Sequence, residues 1–246
     1  MEIDRKTWSE SFPKEAFPPW PCPGCSHGTL IVDNRSFIQG ETAISIATDD
    51  FYEESFACQM KCTYPRCSGS IIVCGATFLC GIKDSAGDTK SVDFCRPSYI
   101  YPTIDIFPIP SKCPENIVKE VKKAFSLYWC DTNAAGNRVR TSIELLMDYL
   151  KVKKRMLTKQ GKYRQISLHD RILDYHPKNP DIGEQLLAIK WIGNTGSHSS
   201  NLKKDDLIDD FEMLQFVLDD IFEMKRERLK AMAKGINKMK GPSRKR

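Results

Sequence analysis

A chain of 246 residues, 41% hydrophobic and 28% charged, has room for one large domain or two small ones. Its formal net charge of +5 is too small to argue by itself for a nucleic-acid partner. No apolar run approaches the ~18 residues of a membrane span, and no apolar core follows Met1-Glu2-Ile3-Asp4-Arg5-Lys6, so neither membrane insertion nor a secretory signal is expected, and the expected location is cytoplasmic.

Residues 1 to about 112 are rich in Pro, Gly, Cys, aromatic and β-branched residues. In such a chain ten cysteines point to metal rather than to a disulfide framework. Cys22-Pro23-Gly24-Cys25 is a CxxC knuckle, and Cys62 and Cys67 form a second pair closed by the turn at Ser68-Gly69. Four thiolates presented from two tight turns fit a tetrahedral, structural zinc. The loop between the pairs is longer than in a compact ribbon, which leaves Cys58 open as a replacement for Cys62 and His27 as a replacement for a cysteine. Cys74, Cys80, Cys95, Cys113 and Cys130 read as small buried hydrophobes. Strands are expected over Thr29–Val32, Thr42–Ile46 and Ser70–Cys74, the last continuing through Phe78-Leu79, with turns at Asp33-Asn34, Gly40 and Asp84 to Gly87. Prolines keep the connector from Tyr101 to Pro110 extended.

From residue 113 to 246 the texture becomes helical. Pro114-Glu115-Asn116 opens a first helix running to about Trp129. Asp131-Thr132-Asn133 caps a second, striped by Val139, Ile143, Leu146 and Leu150. Gly161 separates it from a short segment, Leu168 to Tyr175, and another helix spans Asp181 to about Asn194. A long last helix begins near Asp205 with Leu207, Phe211, Leu214, Leu218 and Phe222 on its apolar side, and a basic tail runs from Lys225 to Arg246. Short connections between amphipathic helices imply an antiparallel bundle. The expected class is therefore α+β: a small zinc-binding β domain over 1–112, then an all-α bundle over 113–246.

Within the bundle, Lys190, Asn194 and His198 recur at i,i+4 inside Leu186-Leu187-Ala188-Ile189-Lys190-Trp191-Ile192-Gly193-Asn194-Thr195-Gly196-Ser197-His198. On one unbroken helix they would share a face, and a cation, an amide and an imidazole in line form a candidate catalytic row. Alternatively, Gly193-Asn194 is a helix C-cap and leaves His198 in a loop. Arg140 and Glu144, also i,i+4, are either a surface pair or a buried support for such a site. Lys151-Val152-Lys153-Lys154-Arg155 is the other concentrated basic run.

Several of these segments together resemble a bacterial family known as domain of unknown function 4145. They are the Lys190–His198 stretch, the zinc knuckle, Phe107–Pro110 leading to Cys113-Pro114, Ala134–Arg140 with Glu144, and Leu168–Ile172. That family is similar in turn to the HEPN helical domains, many of which are metal-independent endoribonucleases in toxin and anti-phage systems. The resemblance implies a HEPN-like bundle that cleaves RNA with no catalytic metal. It also implies a homodimer or higher oligomer, and a zinc domain that senses a trigger such as a phage protein. HEPN nucleases place an arginine before their histidine with four to six residues in between; here Trp191, Ile192 and Gly193 fill those positions and Lys190 is the nearest upstream base. Arg138 or Arg140 would then supply the guanidinium beside His198 and Asn194, from a neighbouring helix or a second subunit. The competing expectation is a non-catalytic adaptor that binds protein or nucleic acid.

Overall fold

The computed structural model describes residues 3–25, 27–41, 53–83, 87–198, 202–223 and 225–241, with the side chains of 41, 195–198 and 225–227 outside that description. Its N-terminal part is an antiparallel sheet in the order β1-β6-β5-β4-β2, with β3 also pairing β4. The strands are β1 (Phe12–Pro13), β2 (Leu30–Val32), β3 (Ile38–Glu41), β4 (Glu53–Cys62), β5 (Ser70–Lys83) and β6 (Thr89–Tyr101). Alternation fixes the faces: Phe56, Cys58 and Met60 of β4 and Ile71 and Val73 of β5 point into the core. A register shift at Cys74/Gly75 bends the long β5–β6 pair.

Two strands depart from expectation. β4, with Cys, Met and Gln where β-branched residues would be diagnostic, and β6, interrupted by Pro97, carry weak strand signals, yet both lie within the sheet. Gly40, expected in a turn, is part of β3. The strand expected over Thr42–Ile46 lies outside the described residues.

Six helices follow among the described residues: α1 (Glu115–Leu127), α2 (Thr132–Tyr149), α3 (Leu168–Tyr175), α4 (Pro180–His198), α5 (Lys204–Leu218) and α6 (Lys225–Met239). Asp131 caps α2 by accepting from the Ala134 amide at 2.8 Å, and Ser167 caps α3 by accepting from Asp170 at 3.1 Å. Between α2 and α3 stands a two-stranded hairpin, β7 (Arg155–Leu157) and β8 (Tyr163–Gln165), where a single break at Gly161 was expected. α4 passes through Gly193 and Gly196 without interruption and ends at His198, beyond the expected stop near Asn194. The basic tail is largely helical as α6, which follows α5 after a wider, π-type turn at Asp219–Glu223.

Sheet and helices share one apolar interior. Trp129 at the end of α1 lies 5.3 Å from Trp20 and 6.1 Å from Trp8, ring centre to ring centre. Phe107, at the end of the connector, packs on Phe125 at 5.0 Å, and Phe125 packs on Phe211 of α5 at 5.3 Å. Cys95 and Cys113 are buried as expected, whereas Cys74 and Cys80 are half-buried and Cys130 is exposed.

Candidate functional site

The two cysteine pairs meet at one end of the sheet. An isolated bridge from Pro21 to Thr29 closes the loop that carries Cys22 and Cys25, while Cys62 ends β4 and Cys67 sits in the turn before β5. The ligand atoms of Cys22, Cys25, Cys62 and Cys67 all lie within 4.8 Å of one another, with Sγ–Sγ separations of 3.8 Å for Cys22–Cys67 and 3.6 Å for Cys25–Cys62. Four thiolates ~2.3 Å from a tetrahedral ion would be spaced ~3.8 Å apart, so the dimensions suit a metal of that kind. Backbone amides already face the sulfurs: Gly24 to Cys22 at 3.4 Å, Tyr64 to Cys62 at 3.4 Å and Gly69 to Cys67 at 3.3 Å. The amides of His27 and Gly28 draw the Cys25 thiol down to about 6, whereas burial pushes Cys62 up to about 12. A side chain at Gly28 would place its Cβ 2.4 Å from the Cys62 sulfur, so only glycine admits the two knuckles this closely. Neither alternative ligand belongs to the cluster: Cys58 is buried within the sheet, and His27 directs Nδ1 at the Cys25 carbonyl and stacks on Tyr64 at 5.6 Å.

The second constellation lies where α2 crosses α4. Close approach is possible because Gly136 and Gly193 face each other; a Cβ built on Gly136 lies 3.9 Å from the Gly193 Cα. The crossing brings Arg140 of α2 onto α4, where its guanidinium donates to the side-chain oxygen of Asn194. Glu144, one turn along α2, faces the same guanidinium at 3.5 Å. Lys190, one turn before Asn194, is only 7% exposed, and its ammonium sits 3.1 Å from the Trp191 ring centre. Burial first, and the charge of Arg140 second, lower its affinity for a proton below the usual lysine range. His198 occupies the position one turn after Asn194, and its side chain lies outside the described residues. Arg138 is not brought to this place; it falls on another face of α2 and pairs with Glu120 of α1 at 3.2 Å.

Read from the sequence, His169 could belong to the site but is better suited to a capping or surface role, and the part played by Asp148 and Arg171 beside the row is not visible there. His169 of α3 lies 5.7 Å from Trp191, with a buried Nδ1 that has no hydrogen-bond partner. Beside Arg140 opens a cleft of about 410 Å³ whose wall includes Glu144, Asp148, Lys154, Gln165 and Arg171. Arg171, 4% exposed, donates to Asp148 at 2.7 Å and to the Val152 carbonyl at 3.2 Å, tying α3, α2 and the base of the hairpin together. Partial burial would raise the Asp148 carboxyl, but hydrogen bonds from Lys154 and Arg171 outweigh it and hold the group below its usual range. The missed signal was local. Two short runs flank the five residues Thr158-Lys159-Gln160-Gly161-Lys162, a spacing and composition that mark a hairpin.

Chemically, the crossing offers a guanidinium, an amide and a partly desolvated ammonium on adjoining turns, with an imidazole-bearing position on the next turn of α4. Such a set can neutralise a phosphate and support proton transfer. Residues 122–239 match the family model described as domain of unknown function DUF4145, and residues 10–100 match another described as domain of unknown function DUF8608. No curated protein and no solved structure matches the chain. No helix among the described residues is long and apolar enough to cross a membrane.

Proposed function

Residues 122–239 of this chain belong to the family described as domain of unknown function DUF4145, and from that membership we propose that the helical half is a metal-independent endoribonuclease. One observation carries the reading: Arg140 from α2 reaches Asn194 on α4, one helical turn before His198. This supplies from a neighbouring helix the guanidinium that α4 itself lacks. RNA contains its own nucleophile, so the protein needs only to move protons and neutralise charge. His198 takes the proton of the 2′-hydroxyl or returns one to the departing 5′-oxygen. Arg140 and Lys190 stabilise the negative charge that builds on the phosphate oxygens. Asn194 and Glu144 hold Arg140 in place. The phosphorus–5′-oxygen bond breaks as the 2′-oxygen bond forms, leaving a 2′,3′-cyclic phosphate. The cysteine cluster is assigned a structural zinc, outside this chemistry.

The likeness to HEPN nucleases extends the proposal to a toxin-like defence effector, whose sheet domain receives a trigger. Purified protein in chelator is expected to cut single-stranded RNA to cyclic-phosphate ends, and its expression is expected to arrest growth. His198→Ala and Arg140→Ala should each lower cleavage by at least about a hundredfold, the scale of a lost acid–base group or charge donor. Cleavage undiminished in both variants would remove the site assignment. RNA binding with no product from the wild type, with or without a trigger extract, would favour the adaptor reading, which the exposed basic hairpin also supports.

A further inference from the structure

We propose that the β7–β8 hairpin is a substrate-gripping arm: a single strand of RNA lays its phosphates along the hairpin cations, stacks a base on Tyr163, and runs into the cleft that Arg140 lines. The RNA identity rests on the ribonuclease reading above; the grip itself rests on the hairpin. Between positions 151 and 165 the chain has seven Lys and Arg residues and no acid. All seven are exposed, and among the described residues only Lys154 is in an ion pair, with Asp148. A cationic surface left this unneutralised attracts a polyanion.

Charge alone would describe a solvated arm, but the hairpin also exposes apolar groups. Tyr163 is 75% exposed, and Leu157, its partner directly across the ladder, is 59% exposed. The two-residue period puts Arg155 and Gln165 on the same face, and Gln165 lines the cleft beside Arg140. An aromatic ring flanked by cations is how proteins hold single strands, because every base has a face to stack and every nucleotide a phosphate. A duplex hides its base faces, so an unpaired strand is the fitting ligand. A membrane would need a broad apolar face, and its headgroups could not follow the surface into the cleft.

The arm is anchored well enough to position what it holds. Its loop is closed by Thr158 N–H to the Lys162 carbonyl at 2.8 Å, and its base by Ile166 N–H to the Lys154 carbonyl at 2.9 Å. Arg171, donating to Asp148 and the Val152 carbonyl, fixes that base against α2 and α3. Lys154 stands in the cleft wall between arm and site.

The test uses the full chain and a short fluorescent 2′-O-methyl oligouridine, which cannot be cut because its nucleophile is blocked. Replacing Lys153, Arg155 and Lys162 together by alanine is expected to reduce the slope of log affinity against log salt by about 2, since each single-strand phosphate contact contributes about 0.7. Tyr163→Ala should weaken binding about tenfold while Tyr163→Phe retains it, the signature of stacking. These side chains are exposed, so far-ultraviolet circular dichroism should be the same in every variant. Affinity unmoved by both the triple variant and Tyr163→Ala overturns the arm, even if the wild type cuts RNA. Equal affinity for anionic phosphatidylserine vesicles that Tyr163→Ala does not alter overturns it too. Hairpin-dependent binding with no cleavage by the wild type leaves the arm standing and sinks the ribonuclease instead.

Discussion

Asp210 is a buried carboxyl that costs the helical part stability. It has no exposed surface on α5, and neither carboxylate oxygen has a hydrogen-bond partner. Burial, with smaller contributions from Asp209 and Asp206, pushes its carboxyl up to about 8, so the folded chain keeps a proton that the unfolded chain releases near 3.8. The raised value sets the sign. Below roughly pH 4 both states are protonated and the carboxyl imposes no charge penalty. From there to about pH 8 unfolding releases the proton, and stability falls by up to about 1.4 kcal/mol per pH unit. Asp210→Asn should flatten this slope and raise the melting temperature at the alkaline end. Melting curves across that window are the check; a wild-type profile as flat as that of the variant would refute it. Nothing in Asp205-Asp206-Leu207-Ile208-Asp209-Asp210 distinguished the buried acid from its exposed neighbours, because burial is set by packing. The Arg140–Asn194 pairing was legible only as one option, since sequence could not decide between Arg138 and Arg140.

At the scale of elements, the α2–α4 crossing sets the site. A Cβ at Gly193 would lie 3.4 Å from the Arg140 Cβ and 3.4 Å from the Gly136 carbonyl oxygen, close contact with no room beyond it. Gly193→Ala should therefore be near neutral in stability, helix propensity of about 1 kcal/mol offsetting the tight contact. Gly193→Leu must push the helices apart, at about 1–3 kcal/mol, and separate Arg140 from Asn194. Thermal melts combined with RNA cleavage should show small change for alanine and loss of both for leucine; full activity in the leucine variant would show that the crossing does not position the site. Gly193-Asn194 reads locally as a helix end, yet buried Ile182, Leu186 and Ile189 hold α4 against its neighbours and carry the helix through. Tertiary packing overrode a cap signal there, as it overrode weak propensity in β4 and β6. By contrast α1, α2 and α3 were readable, because Asp131 and Ser167 cap where such residues do and the apolar spacing follows the helical period.

Across the whole molecule, the cysteine cluster and the helices are mechanically joined. Trp20, fully buried, donates its indole N–H to the Thr7 carbonyl at 2.8 Å and accepts from Leu30 N–H at 2.8 Å, two residues before Cys22. Its ring meets Trp129 at the end of α1, and the adjoining Tyr128 donates its hydroxyl to the Trp8 carbonyl. Loosening the knuckles therefore releases a tryptophan that the helices also pack upon. Four sulfurs within 4.8 Å cannot all ionise without a cation between them, so stripping a metal bound there would return protons to the sulfurs and remove the bonds that hold the two knuckles together. Chelation is expected to lower the melting temperature of the tryptophan near-ultraviolet signal and of the helical signal at 222 nm together, in one shared transition. Cys22→Ser with Cys67→Ser should reproduce that shift without chelator. Were the helical signal to melt unchanged while the tryptophan signal moved, the two family segments would be independent folding units, and a trigger sensed by the sheet would have no packed route to α2 and α4. A common shift would instead supply that route, because strain at the knuckles reaches α1 through Trp20 and Trp129, and α1 packs on α2.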